Sequence, residues 1–184
     1  LEGLNIYTSA MDDTTLPKFE AAMIALQERY HIMAAVCFVD LPFWGPLALA
    51  LRQTFGQVTL SPVYRSPAVG FSGDDFINLA ARIETDMQPL ELKEFLNALE
   101  DRHGRRRDLP KFSDRTLDID ILMVDDLYLH CPGLVLPRPE ILHYAHVLRP
   151  LADLAPALVH PITLKRISDH WSSFSGNHSS LVAV

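Results

Sequence analysis

Two cysteines in 184 residues cannot build a disulfide framework, and Cys37 and Cys131 show no metal-ligand spacing. Cys37 lies in an apolar run, the setting of a buried thiol, and Cys131 precedes Pro132-Gly133, the setting of a turn. A reducing compartment is therefore expected. An excess of basic charge is also lacking. Sixteen Lys and Arg against 23 Asp and Glu give a formal net charge of −7 and a pI of about 5.5, which argues against a general nucleic-acid binder. No apolar run reaches membrane-spanning length and no secretory signal is visible, so no membrane partner is expected and the setting reads as cytoplasmic. Internal repeats and low-complexity tracts are absent. Leu1 in place of Met reads as a processed or truncated start.

What remains is 48% apolar content, enough for one domain with a sizeable core. Against the acidic background one stretch stands out, Arg115-Thr116-Leu117-Asp118-Ile119-Asp120-Ile121-Leu122. Leu117, Ile119 and Ile121 alternate with Asp118 and Asp120, the period of a half-buried strand, so both carboxylates project from one face. Paired carboxylates on a rigid element suit Mg²⁺, which commonly takes one or two of them and completes its shell with water and phosphate oxygens. Gly104-Arg105-Arg106-Arg107, Lys111 and Arg115 place cations beside this pair. Acid for a metal and base for phosphate is what phosphoryl transfer requires, because its catalysis rests on positioning and charge stabilisation. Taken alone, an Asp-X-Asp strand is also what a solvated sheet face shows. The arginine cluster favours function, as does the poor strand propensity of Asp.

Periodicity and turn residues divide the rest. Residues 16–30 read as an amphipathic helix on Phe19, Met23, Leu26 and Tyr30. Ala34–Val39 suits a buried strand, and residues 46–55 a short helix closed by Gly56. Gln57–Tyr64 reads as a strand near an edge, interrupted by Pro62, and Arg65–Asp75 as loop. Phe76–Glu84 alternates again. Pro89–Arg102 is the clearest helix, with Leu92, Phe95, Leu96 and Leu99 inward and Gly104 beyond its end. Glu100 in its last turn opposes the helix dipole and either faces the arginines or is solvated. The Asp-X-Asp strand ends near Val124, and Leu127–Leu129 can pair with Leu134–Leu136. Short helices are expected within Pro137–Arg149 and at Pro150–Leu154, residues 163–174 read as helical, and Ser175–Val184 is expected to fray.

Without the N-terminal segment this order is β-α-β-β-α-β, a ferredoxin-like α/β (α+β) arrangement. Its antiparallel sheet would carry helices on one face, with extra C-terminal elements. The open face would take ligands and would hold Phe76, Asn78, Asp118 and Asp120.

Several ordered motifs now resemble one family. They are Ser61-Pro62-Val63-Tyr64-Arg65-Ser66-Pro67, Asp75-Phe76-Ile77-Asn78, Ile83-Glu84-Thr85-Asp86, Leu99-Glu100-Asp101-Arg102-His103-Gly104-Arg105, the Arg115–Leu122 run and Val147-Leu148-Arg149-Pro150-Leu151. From about Thr54 to His160 the chain resembles 6-hydroxymethyl-7,8-dihydropterin pyrophosphokinase, of folate biosynthesis. The resemblance implies an ATP- and Mg²⁺-dependent diphosphotransferase that moves pyrophosphate from ATP to the pterin's hydroxymethyl oxygen and leaves AMP.

By that resemblance Asp118 and Asp120 are ligands of a pair of Mg²⁺ ions bound with ATP. Arg105 and Arg115 stabilise the transferring group, and Arg107 is a further loop arginine. Phe76 stacks on the pterin and Asn78 bonds its edge, while Ser66, Pro67 and Val69 border the pocket. Glu100 and Ile121 line the ATP site. Three positions depart from the family pattern. Arg138 replaces a nucleotide-binding His, Tyr144 an Arg, and His146 a stacking Phe, so Arg138 and Tyr144 are assigned to ATP and His146 to pterin. The histidines offer no metal spacing. The family's opening Gly-Ser-Asn turn is not reproduced.

Two placements of the first strand compete. One uses Ala34–Val39, with residues 1–32 as a helical extension, residues 33–174 as the enzyme domain and 175–184 as a flexible tail. The other uses Asn5–Thr8, with 16–30 as first helix. The first is preferred, and residues 1–32 would then be the remnant of a neighbouring domain, since the resembled enzyme occurs fused to other folate enzymes. The competing functions are a non-catalytic pterin- or nucleotide-binding homologue, or a partner domain of a folate enzyme. A metal-dependent hydrolase is disfavoured because no base or histidine pair accompanies the aspartates.

Overall fold

The computed structural model describes residues 29–38, 44–67, 75–105, 117–176 and 181–184. In chain order these form β1 (Tyr30–Phe38), α1 (Trp44–Phe55), β2 (Val58–Leu60), β3 (Tyr64–Ser66), β4 (Phe76–Thr85) and α2 (Pro89–Arg102). Then come β5 (Leu117–Val124), β6 (Leu129–Cys131), β7 (Leu134–Leu136), α3 (Glu140–His143), α4 (Ala145–Leu154), α5 (Ile167–Ser172) and β8 (Val182–Ala183).

The long strand β1 is central, pairing antiparallel with β4 on one side and β5 on the other. β2 and β3 both pair with β4, and β8 adds to β3, so the main sheet runs β5-β1-β4-β3-β8 with β2 beside β4. The break between β2 and β3 follows from Pro62, which has no N–H to give a ladder. Ser61 repairs it. Its N–H donates to the Ala80 carbonyl and its Oγ accepts the Ala80 N–H, each at 2.9 Å. β6 and β7 form a separate hairpin around Pro132-Gly133, with Gly133 at φ +89°, a conformation that glycine adopts without a Cβ penalty.

Alternation along the strands separates two cores. Ile32, Ala34, Val36, Ile77, Leu79, Ile83, Ile119 and Ile121 pack under α1 and α2, which contribute Leu47, Leu51, Phe55, Leu92, Leu96 and Leu99. Phe95 meets Phe55 edge-on, with ring centroids 5.5 Å apart. The opposite face carries Met33, Ala80, Leu122 and Met123 under Ile141 of α3, Val147, Leu148, Leu151 and Ala152 of α4, and Ile167 of α5. Consecutive Leu122 and Met123 both join this second core because the β1–β5 register shifts between Met33 and Ala34.

Helices thus lie on both faces, not one. The face expected to be open is covered at one end by α3–α5, because the sheet there presents apolar side chains that must be buried. An antiparallel α/β sheet is what the structure shows. The first described strand begins at Tyr30, four residues before Ala34. Tyr30, placed by periodicity on the stripe of a 16–30 helix, is buried in the sheet core. The remainder of that helix, apart from Arg29, and Asn5–Thr8 lie outside the described residues. Pro150 does not start a helix but sits inside α4, where it is buried, as are Leu148 and Leu151. Tertiary burial there outweighs the lost helical hydrogen bond. In the tail expected to fray, Val182 and Ala183 pair with Arg65 and Tyr64. Among the described residues no helix is long and apolar enough to cross a membrane.

Candidate active site

Register sets the site. Asn78 of β4 and Asp118 of β5 both oppose Cys37 of β1, and Tyr64 of β3 opposes Asn78. Ala80 and Asp120 likewise flank Ala35 one repeat further along. Directly opposed residues share a face, so Asn78, Asp118 and Asp120 lie on one side of the sheet. Two strand spacings put Asn78 and Asp118 roughly 10 Å apart.

The aspartates also reach a cleft at the outer edge of β5. It measures about 310 Å³ and is bounded by Lys93, Leu96, Asn97 and Glu100 of α2, by Arg105, by Asp118–Ile121 and by Leu134 and Arg138. A β5 edge would otherwise present unpaired backbone groups. Glu100 accepts the Ile119 N–H at 2.7 Å, and the Arg138 N–H donates to the Leu122 carbonyl at 2.8 Å. Gly104, at φ +86°, ends α2 and lets the next residue turn back. Arg105 then reaches Glu100 at 2.7 Å through Nη1, and the same nitrogen donates to Asp118. Arg138 holds Asp120 at 3.1 Å through Nη2 and Glu140 at 3.4 Å through Nε.

The electrostatics are those of a crowded acidic pair. Burial and the neighbouring Asp118 charge push the Asp120 carboxyl up to about 6, against the opposing pull of Arg138 and Arg105. Burial disfavours charge on Arg105, but Asp118 and Glu100 outweigh it and its pKa is raised. A site where carboxylates repel one another and attract guanidinium groups suits a divalent cation. Among the described residues no group of three His, Cys, Asp or Glu forms a protein-only metal cage. The donor set fits Mg²⁺, which needs few protein oxygens when phosphate supplies the others.

At the other end of the row, Asn78 is 3% exposed. Its Nδ2 donates to Ser66 Oγ at 2.9 Å and to the Phe76 carbonyl at 3.2 Å. A carbonyl can only accept, so the amide orientation is settled and Oδ1 points away from Phe76. Ser66 is itself buried, opposite Phe76 in the ladder, and Pro67 is exposed beside it. Tyr144 and His146 stack on each other at the start of α4, with centroids 5.3 Å apart, and burial lowers the His146 pKa. Among the described residues lining the β5 cleft, Phe76, Asn78, Tyr144 and His146 do not occur, whereas Glu100, Ile121 and Arg138 do. Ile121 enters from the apolar face, so the cleft is an edge site and not purely a face site. Arg107, Arg115 and Val69 lie outside the described residues.

Lys93 and Asn97 were not anticipated. With Leu96 and Glu100 they form an i, i+3, i+4, i+7 stripe, so helical spacing alone could have located this cleft-facing side of α2. A second unanticipated group joins α4 to β3. Tyr64 Oη donates to Asp153 and accepts from Arg149 Nε at 3.1 Å, Arg149 meets Asp153 at 2.9 Å, and its guanidinium lies 5.2 Å from the Trp171 ring centroid.

The family model for 7,8-dihydro-6-hydroxymethylpterin-pyrophosphokinase (HPPK) matches residues 47–156, more than half the chain. A 2-amino-4-hydroxy-6-hydroxymethyldihydropteridine pyrophosphokinase from Pseudomonas aeruginosa is 42% identical over 102 residues, 55% of this chain and 62% of that protein. A protein of the same name from Synechocystis is 38% identical over 132 residues, 67% of each. The chain thus spans about two thirds of these relatives' length. A Plasmodium falciparum HPPK-DHPS structure shares the fold at a TM-score of 0.64 and 13% identity, over 83% of this chain and 47% of that one. With the Asp-X-Asp strand, its arginines and the matched segment coinciding, the chain belongs to the 7,8-dihydro-6-hydroxymethylpterin-pyrophosphokinase family.

Proposed function

We propose that this chain transfers pyrophosphate from ATP to the hydroxymethyl oxygen of 6-hydroxymethyl-7,8-dihydropterin, forming AMP and the pterin diphosphate in folate biosynthesis. The observation that carries this reading is the Asp118–Asp120 pair, set with Arg105 and Arg138 in the β5 cleft within the family-matched segment. In the reaction the hydroxymethyl oxygen bonds the β-phosphorus while the bridge to the α-phosphate breaks.

Asp118 and Asp120 would hold Mg²⁺ arriving with ATP. When bound, Mg²⁺ neutralises phosphate charge and aligns the attacking and leaving oxygens. Glu100 and Ile121 would flank the nucleotide, and Arg105 and Arg138 would face its phosphates. The Asn78 Oδ1 would accept an N–H from the pterin edge, with Phe76 against the ring and Ser66 fixing the amide. By the family resemblance Arg115 would stabilise the transferring group, and Arg107 would assist it. His146, whose pKa burial lowers, and Tyr144 offer a stacked pair at the start of α4, which packs against β3 and β4. We read β2 and β3 as halves of one strand, so that the order is β-α-β-β-α-β and ferredoxin-like. The HPPK-DHPS name supports another folate-pathway domain as a partner. A reducing cytoplasm is the proposed setting.

The test is Mg²⁺-dependent AMP formation from ATP, with and without the pterin. Asp118→Ala and Asp120→Ala should each lower the rate by about two to three orders of magnitude, the scale of losing one group that stabilises developing charge. AMP release that ignores the pterin, or survives both substitutions, overturns the assignment. Pterin binding without AMP formation would instead favour a binding homologue.

A further inference from the structure

Each member of the acidic pair is already met by a guanidinium, Asp118 by Arg105 and Asp120 by Arg138. The second contact is built in. Arg138 follows β7, and its backbone N–H is bonded to Leu122 of β5, the strand that carries Asp120. Its side chain spans Asp120 and Glu140 at 3.1 and 3.4 Å, with less than a third of it exposed. Such a charge is anchored at both ends, unlike a surface arginine that samples solvent.

We propose that Arg138 is a resident countercharge that keeps Asp120 from binding a divalent cation alone and releases it when a polyphosphate enters the cleft. The proposal rests on the reading of Asp118 and Asp120 as cation ligands. A cation on the Asp120 carboxylate would sit within a few ångströms of the guanidinium and be repelled by it. A nucleotide's phosphates offer that guanidinium new acceptors with bidentate geometry, while adding oxygens for the cation. Arg138 therefore couples the two ligands. Because coupling is reciprocal, the nucleotide strengthens cation binding by the factor by which the cation strengthens nucleotide binding. Glu140 shares the guanidinium and steadies it between the two carboxylates.

The probe is Mn²⁺, followed by electron paramagnetic resonance of the free ion, with and without α,β-methylene ATP, which cannot transfer its pyrophosphate. The native chain should bind Mn²⁺ weakly alone and much more tightly with the nucleotide analogue. Arg138→Gln should bind Mn²⁺ alone roughly tenfold more tightly, on the scale of the lower end of what an adjacent arginine does to a carboxylate's proton affinity, and the coupling factor should fall by a similar amount. Arg138→Met, which keeps an apolar stem without charge, should behave like Arg138→Gln, whereas Arg138→Lys, which keeps the charge but not the fork, should bind Mn²⁺ alone as weakly as the native chain and show a smaller coupling factor. Adding Asp120→Asn should remove the gain. Unchanged or weaker Mn²⁺ binding in the two neutral variants overturns the proposal, as does a gain that survives Asp120→Asn. No turnover is needed, so a chain that forms no AMP fails the proposed activity without affecting this measurement.

Discussion

The carboxylate of Glu100, 1% exposed near the end of α2, accepts the backbone N–H of Ile119 at 2.7 Å on the outer edge of β5. A carboxylate in the last helical turn opposes the helix dipole. Its placement is explained by what it touches. It seals the strand edge between the two aspartates and orients Arg105, which it meets at 2.7 Å.

Glu100→Ala should lower stability by about 2–4 kcal/mol, because it strands a buried backbone donor and part of a guanidinium. Glu100→Gln keeps an acceptor for the Ile119 N–H and should cost about half as much. Urea denaturation monitored by circular dichroism measures both. Equal losses would show that the hydrogen bond to Ile119 contributes nothing beyond the charge.

Asn78→Asp should weaken pterin binding, raising its KM by roughly tenfold, the scale of one buried hydrogen-bonding defect. The new carboxylate cannot donate to the Phe76 carbonyl, so the side chain must rotate away and Oδ1 loses its direction. The KM for ATP should change little, since Asn78 is outside the lining of the β5 cleft. A parallel rise in both constants would point to a general structural defect.

Acid should destabilise the fold partly through His160. The ring is 3% exposed, and Nδ1 accepts the Ile162 and Thr163 N–H groups at 3.4 Å each, so that nitrogen must be unprotonated. Burial and, secondarily, His170 lower its pKa. Below the ordinary histidine pKa, the unfolded chain takes up a proton that the native ring resists. The stabilisation is therefore complete above about 6.5 and is lost as pH falls from there towards the lower native value. Denaturation at pH 7.5 and 5.5 should show a steeper loss in the native chain than in His160→Gln. Identical losses would remove His160 from the account.

Tyr64→Phe should cost about 1 kcal/mol, since Arg149 and Asp153 remain paired when the hydroxyl is removed. Asp153→Ala should cost more, because Tyr64 Oη and Arg149 both lose an acceptor. A double-mutant cycle should give a coupling of about 1 kcal/mol. A coupling near zero would mean that the Tyr64–Asp153 contact does not hold α4 to β3.

Local pattern reached far in this chain. Pro89 at one end and Gly104 beyond the other framed α2 correctly, and the alternation of Leu117, Ile119 and Ile121 with Asp118 and Asp120 described β5 down to the side each residue takes. These features are readable because backbone geometry gives strands and helices fixed periods, and because proline and glycine act through their own dihedral angles.

Where contacts are remote, pattern ran out. Tyr30 fits a helical stripe as well as a strand, and its hydroxyl bond to Gln88 Oε1, at 3.1 Å, comes from 58 positions away. Pro150 looks like a boundary, yet it is buried inside α4, the helix that brings Leu148 and Leu151 to the second core. The carboxylates of the Asp-X-Asp strand and the face they share were legible in the linear chain. Their partners were not. That Arg138 meets Asp120, that Glu100 caps Ile119 and that the cleft opens at the β5 edge depend on how α2 and the β6–β7 hairpin pack beside that strand. Such packing is selected by total burial and hydrogen-bond satisfaction across the molecule, which no window of neighbouring residues contains.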